Sequence, residues 1–209
     1  MAGASGLVGQ EILKGLLADE RYAAVHAIGR RQLATRHPKL TSHTVDFDAL
    51  PALPAVDDVY VALGTTIKAA GSEEAFRAID FGAVVAVVQA ARSSGATNLG
   101  VVSAMGANAR SGVFYNHVKG EMENCVASLG FDSLVVVRPS LLTGDRGALK
   151  QPARIGERIA QAAMAVTGPL IPANYRAIPA SKVARALLVN VPASQPGKRV
   201  LLSGELQHY

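Results

Sequence analysis

Tyr115 and Lys119, in the run Tyr115-Asn116-His117-Val118-Lys119, are the residues of this chain best spaced to act together. On a helix, a separation of four puts both side chains on one face, about 6 Å apart along the axis. An ammonium beside a phenol favours the phenolate and lowers its pKa from about 10. Tyr115 would then give or take a proton near neutral pH. Ser103 closes the apolar run Val101-Val102-Ser103 ahead of that helix, where its hydroxyl can bond a substrate oxygen as charge develops. A Tyr placed before a Lys in this way is also a common surface pairing, so the weight falls on what accompanies it.

What accompanies it is a glycine turn. Gly3-Ala4-Ser5-Gly6-Leu7-Val8-Gly9 reads G-x-x-G-x-x-G and runs straight into a helical pattern marked by Val8, Ile12 and Leu16. Such turns bring bare backbone N–H groups and the positive end of a helix to a pyrophosphate. They normally follow a buried strand of about five or six residues. Only Met1 and Ala2 precede this one. The sequence therefore predicts a sheet lacking its first strand, with the two flanking strands unpaired and about 9–10 Å apart. It also predicts roughly six to ten further N-terminal residues in the native chain, carrying a Val/Ile/Leu-rich run.

The elements that must position these residues alternate along the chain. Strands are expected at Ala24–Ile28, Thr41–Val45, Asp58–Leu63, Leu99–Ser103, Leu134–Arg138 and Arg199–Leu202, with a short extended piece at Tyr175–Ile178. Helices are expected at Ser72–Ser94 with Ser72 as its cap, at Val113–Leu129, near Arg154–Val166 and at Ser181–Asn190. Phe114, Val118, Met122 and Val126 form the buried stripe of the second. This alternation predicts an α/β fold with a doubly wound, parallel, Rossmann-like sheet covered on both faces. A single domain over residues 1–209 is expected, with a short substrate region at about 144–209.

Cofactor choice follows from the end of the strand at Ala24–Ile28. An acidic residue there binds the ribose hydroxyls of NAD, whereas Arg accommodates the 2′-phosphate of NADP. The strand runs into Gly29-Arg30-Arg31 with no acid, which favours NADP(H) through charge-assisted contacts from two guanidinium groups.

Composition excludes several alternatives. The chain has 209 residues, 49% hydrophobic and 18% charged, enough to bury a core. No apolar run approaches the roughly 18 residues of a membrane span. A cytoplasmic protein is the expectation, with no signal peptide in view. The single Cys125 excludes an internal disulfide and any cysteine-based metal site, and the five histidines show no metal-ligand spacing, so no metal is expected. Net charge is +5, and Arg30, Arg31, Arg36, His37 and Lys39 lie close together, yet aromatic residues are only 5% and no nucleic-acid motif appears. Ser140 follows Arg138-Pro139 without forming a nucleophile elbow, which removes support for hydrolase chemistry.

Taken together, these stretches resemble the short-chain dehydrogenase/reductase family, and within it the compact, atypical branch of Tat-interacting-protein-like NADPH-binding proteins. The resemblance rests on GASGLVG, AIGRR (Ala27–Arg31), ALGTTIKAAGSEEAFRAID (Ala62–Asp80), VVSAMGA (Val101–Ala107), YNHVK and RPSLLTG (Arg138–Gly144). It implies that Ser5, Gly6, Leu7 and Val8, within the Gly3–Gly9 turn, cradle pyrophosphate and that Leu63 and Gly64 flank the adenosine side. It further implies that Tyr115 and Lys119 bind the nicotinamide ribose, with Pro139 and Leu142 by the nicotinamide. Ser103, Tyr115 and Lys119 would be the catalytic residues. Asp80 departs from the pattern, standing where many relatives carry the Asn of a proton relay.

The expected activity is hydride transfer between NADP(H) and a small carbonyl, alcohol or quinone. An NADPH-binding sensor that presents a surface to a protein partner is the alternative. A nucleoside-sugar epimerase fits less well, because the stretch after Gly144 is short for a sugar-nucleotide lobe.

Overall fold

The computed structural model describes residues 1–144 and 172–209. Six strands run parallel in its central layer. β1 (Val25–Gly29) pairs with β2 (Leu40–Thr44). β3 (Asp58–Val61), β4 (Asn98–Val102) and β5 (Ser133–Arg138) pair in that order, and β8 (Gly197–Leu202) closes the far edge. β6 (Leu142–Thr143) and β7 (Ile178–Pro179) form a separate two-residue ladder. The inner strands are apolar runs because both of their faces are covered. Alternation along β5 sends Val135 and Val137 to one core and Leu134 and Val136 to the other.

Helix α1 (Leu7–Ala18) covers the first face together with α6 (Ala180–Asn190). Ile12, Leu16, Val183 and Leu187 are buried there against Tyr60 and Ala27. The second face takes α4 (Val84–Ser93) and α5 (Phe114–Ala127), whose Val84, Val88, Met122 and Val126 are buried on Val59, Leu99 and Val101. Two short helices complete the order, α2 (Ile67–Ala70) after β3 and α7 (Ser203–Leu206) after β8.

The expected helix over Ser72–Ser94 is present but not uniform. Ser72 caps α3 (Glu73–Arg77), its Oγ accepting from Ala75 N at 3.1 Å. A π-helical stretch, Ala78–Ala83, then carries the chain into α4. The tighter 3.6-residue pattern of the sequence gives no sign of this widening, which arises where Asp80 is buried. The helix expected near Arg154–Val166 lies outside the described residues.

The expectation of an open gap at the middle of the sheet requires correction. Met1 and Ala2 lie in that place, between β1 and β3. Ile28 N donates to Met1 O at 2.9 Å and the α-amino nitrogen of Met1 to His26 O at 2.5 Å. On the other side Ala2 N donates to Tyr60 O at 2.8 Å and Ala62 N to Ala2 O at 2.9 Å. Because successive residues of an extended chain point their N–H and C=O to opposite sides, Met1 serves β1 and Ala2 serves β3; Ala2 makes parallel bridges to both Ile28 and Val61 and is fully buried. With Ala2 counted, the strand order reverses at this point, which is where doubly wound sheets bind their ligands.

Candidate functional site

At that reversal a cavity of about 210 Å³ opens beyond the carboxyl ends of the strands. Gly3, Ser5 and Gly6 line it from the glycine turn, Arg30 and Arg31 from the end of β1, and Leu63 and Gly64 from the end of β3. A larger hollow of about 550 Å³ beside Arg36 and His37 shares only Ser42 with it and contains no part of the glycine turn.

The three glycines of the turn are required for different reasons. Gly3 has φ +87°, and a Cβ there would sit 2.5 Å from the Ala62 carbonyl. A Cβ on Gly9 would lie 1.9 Å from Gly3 O, because α1 starts hard against the turn. Gly6 is different: its φ is −84°, and a Cβ would meet nothing nearer than Gly3 O at 3.4 Å. The protein fold therefore demands Gly3 and Gly9, while the openness at Gly6 faces the cavity. No side chain caps α1 and no acid occupies its first turn, so the backbone N–H groups of Leu7 and Val8 remain at the positive end of the helix. A bare backbone and two guanidinium groups around one cavity suit the phosphates of a dinucleotide.

Lys119 meets this cavity from behind. It is buried on α5, with Nζ 2.6 Å from Asp80 Oδ1. The other oxygen, Asp80 Oδ2, accepts from Thr65 N at 2.8 Å. A Cβ on Gly64 would lie 3.3 Å from Asp80 Oδ1 and 3.6 Å from Lys119 Nζ, so the turn after β3 rests directly on the ion pair. Tyr115 lies one turn earlier on α5, its ring 5.2 Å from that of Phe76 and inclined by 36°. Phe76 is fully buried and fixes that ring from the side of α3.

Ser103 is directed elsewhere. Its Oγ donates to Glu123 Oε1 at 2.6 Å. Glu123 is buried at the heart of a network in which Arg138 Nε reaches Oε1 at 2.9 Å and Arg138 Nη2 reaches Oε2 at 2.7 Å. Lys198 Nζ stands 3.8 Å away. The hydrogen bonds to Glu123 hold the Arg138 guanidinium above its ordinary pKa. The one proton of the Ser103 hydroxyl is thus committed to a carboxylate rather than offered outward.

Pro139 is buried at the end of β5, its carbonyl accepting from Met105 N at 3.0 Å. Leu142 belongs to β6 and packs against the core of the first face. A Cβ on Gly144 would come within 2.7 Å of Leu7 Cδ1, so this loop reaches back to the start of α1. His117 pairs with Glu121 at 3.4 Å on the outer side of α5, and Arg77 holds the Glu121 carboxyl below its usual range. Cys125 is half-buried against the second core. Among the described residues no cluster of three or more His, Cys, Asp or Glu could hold a metal ion.

Sequence reasoning missed Phe47 and Ile79, which also line the cavity, and it missed Glu123. A signal for Glu123 was available. It continues the row Tyr115, Lys119 at the same spacing, on a helix whose neighbouring Val118, Met122 and Val126 are all buried. Phe47 and Ile79 carry no such signal, because loops far apart in sequence bring them together.

A doubly wound sheet with a glycine turn at its switch point defines a dinucleotide-binding protein. The family described as NAD(P)H-binding matches residues 3–188, and the chain belongs to it. Protein HTATIP2 of Rattus norvegicus is 33% identical over 97% of this chain and 84% of its own length. Protein FMP52, mitochondrial, of Candida albicans is 37% identical over 76% of this chain and 72% of its own. Among solved structures, MoeE5 in complex with UDP-glucose and NAD superposes with a TM-score of 0.72 at 16% identity, covering 96% of this chain and 73% of that one. The structural likeness shows the Rossmann-like fold. No helix among the described residues is long and apolar enough to cross a membrane.

Proposed function

We propose that this protein is an NADP(H)-dependent oxidoreductase of the short-chain dehydrogenase/reductase type, acting on a small carbonyl, alcohol or quinone. The observation that carries this reading is the hydrogen bond from Thr65 N, in the cavity wall beside Gly64, to Asp80, whose other oxygen faces Lys119 Nζ. The ammonium of the Tyr-x-x-x-Lys helix thus lies behind the wall of the cavity that would take the dinucleotide.

The turn at Gly3–Gly9 would hold the pyrophosphate, Arg30 and Arg31 a 2′-phosphate, and Leu63 and Gly64 the adenosine side. Lys119 would hold the nicotinamide ribose, with Pro139 and Leu142 near the ring. When bound, the nicotinamide supplies or accepts a hydride. Tyr115 gives its phenolic proton to the substrate oxygen in reduction and takes one in oxidation. Ser103, placed at the end of β4, would turn its hydroxyl from Glu123 to that oxygen only by giving up the bond described above. Residues 144–209 would supply the substrate region of a single domain, and the compartment we assign is the cytoplasm.

The test is calorimetry with NADPH and NADH, followed by cofactor-oxidation screening against quinones, aldehydes and ketones. NADPH is expected to bind at least about tenfold more tightly, a difference of about 1.4 kcal/mol. Arg30→Ala with Arg31→Ala should abolish the preference. Equal dissociation constants in the unaltered protein would refute the assignment of NADP(H).

A second reading is favoured by one specific observation. The engagement of Ser103 by Glu123 is what an NADPH-binding sensor without turnover would tolerate. That reading predicts tight NADPH binding and no oxidation of it by any substrate in the screen.

A further inference from the structure

We propose that Asp80 is a positioning residue that locks Lys119 and the Gly64–Thr65 turn together, so that the ribose-binding ammonium and the wall of the cofactor cavity keep one fixed geometry. The inference rests on the oxidoreductase reading above, because that reading gives Lys119 its task.

Asp80 has no exposed surface, and its two oxygens serve two different elements. Oδ1 faces Lys119 Nζ of α5 at 2.6 Å, and among the described residues no other donor reaches it. Oδ2 accepts from Thr65 N, in the turn after β3, at 2.8 Å. Both partners are donors, so both positions must be acceptors. A carboxylate satisfies that requirement, whereas an amide would aim an NH₂ at either the ammonium or the backbone N–H. The stretch Ala78–Ala83 is π-helical around this residue, and such widenings recur where a helix must aim one side chain. The turn just before Asp80 is anchored to α5 as well: Phe76 packs against Tyr115, and Arg77 pairs with Glu121 at 2.5 Å.

A double-mutant cycle read by two measurements tests the proposal. Asp80→Asn, Lys119→Met and the double variant are each melted thermally and titrated with NADPH by calorimetry. Asp80→Asn should lower the melting temperature, because it leaves a buried ammonium without its counter-charge. It should also weaken NADPH at least tenfold. Lys119→Met should weaken NADPH to a similar extent. The double variant should recover much of the lost melting temperature, yet bind NADPH within about twofold of Lys119→Met alone, since an effect that passes through Lys119 cannot be lost twice. If Asp80→Asn does not fold, the comparison of the double variant with Lys119→Met decides the matter.

Wild-type affinity for NADPH in folded Asp80→Asn would overturn this proposal while leaving the oxidoreductase reading intact. So would a further tenfold loss in the double variant, which would mean that Asp80 acts independently of Lys119. Failure of the unaltered protein to bind either NADPH or NADH would overturn both readings.

Discussion

Alanine at Gly6 and alanine at Gly9 should have opposite consequences, although the sequence presents the two glycines as equals. At Gly9 the new methyl would lie 1.9 Å from Gly3 O, 2.7 Å from Gly3 C and 3.1 Å from Ala4 Cα, all of them backbone. Relief needs α1 to withdraw from the turn, while Val8, Ile12 and Leu16 hold it in the core. Overpacking of rigid surroundings costs about 1–3 kcal/mol and more where nothing can yield. We expect Gly9→Ala to lose about 3 kcal/mol or more, a large share of the roughly 5–15 kcal/mol that holds a domain together. At Gly6 the nearest atom is 3.4 Å away and φ is −84°, open to any residue. The poorer helix cap that Ala makes and the smaller entropy of its unfolded chain nearly offset, leaving a change within about 1 kcal/mol. On the proposed reading the same methyl projects where a pyrophosphate would approach bare N–H groups, and losing one or two charge-assisted bonds at about 1.5–3 kcal/mol each would weaken NADPH by about tenfold to several hundredfold. Thermal melts and calorimetric titration of both variants separate the two effects. Normal NADPH affinity in Gly6→Ala, or a loss of several kcal/mol of stability there, would refute the assignment of the turn to a ligand.

Ser103→Ala should destabilise the fold by about 1.5–3 kcal/mol, because it removes a hydrogen bond to a buried carboxylate, and lower the melting temperature by roughly 3–12 °C. An unchanged melt with turnover reduced by a hundredfold or more would instead assign Ser103 to the substrate oxygen. Tyr115→Phe should keep the fold and most NADPH affinity while removing turnover, and Lys119→Ala should impair both; full turnover in Tyr115→Phe would exclude Tyr115 as the proton donor. Burial, then neighbouring His43 at 3.0 Å, then the Met1 α-amino group hold the pKa of His26 below 6.5. The unfolded chain therefore takes up this proton first, so His26 makes stability fall as pH drops below about 6.5 toward the folded-state value. His26→Gln should flatten that fall in denaturant titrations between about pH 7 and pH 5, and identical slopes in the two proteins would show that His26 plays no part.

Local features of the site were legible in the sequence, and distant ones were not. The glycine turn, the paired arginines and the Tyr-x-x-x-Lys row are each written within a few consecutive residues. Strand and helix positions followed because period-two and period-3.6 burial repeats leave marks on residue type. The Asp80–Lys119 and Ser103–Glu123–Arg138 contacts join residues brought together only by the crossing of α5 over the sheet. Asp80 read as a departure from a pattern because a sequence shows which residue is present but not which donors it must accept. The first strand illustrates the same limit in reverse. Counting side chains, Met1 and Ala2 cannot make a buried strand. Counting backbone groups, they supply the four hydrogen bonds that carry the sheet across its centre.

Helix α5 draws these observations together. Lys119 and Glu123 lie one turn apart on it, both nearly devoid of solvent contact, and each is tied to a group of opposite charge on another element. Buried ion pairs seldom stabilise a fold better than apolar residues of the same size, since desolvation offsets most of the attraction. A chain selected for stability alone would gain little from placing two of them on one helix. What they provide is geometry. Asp80 ties one turn of α5 to the loop after β3, and Arg138 ties the next to the end of β5, so the helix can neither slide nor rotate against the sheet without breaking a buried pair. Tyr115 stands one turn before Lys119 on the same row. Its distance from the cavity is therefore set by two ionic anchors rather than by apolar packing alone, as a residue that must meet a bound dinucleotide and a substrate oxygen together would require.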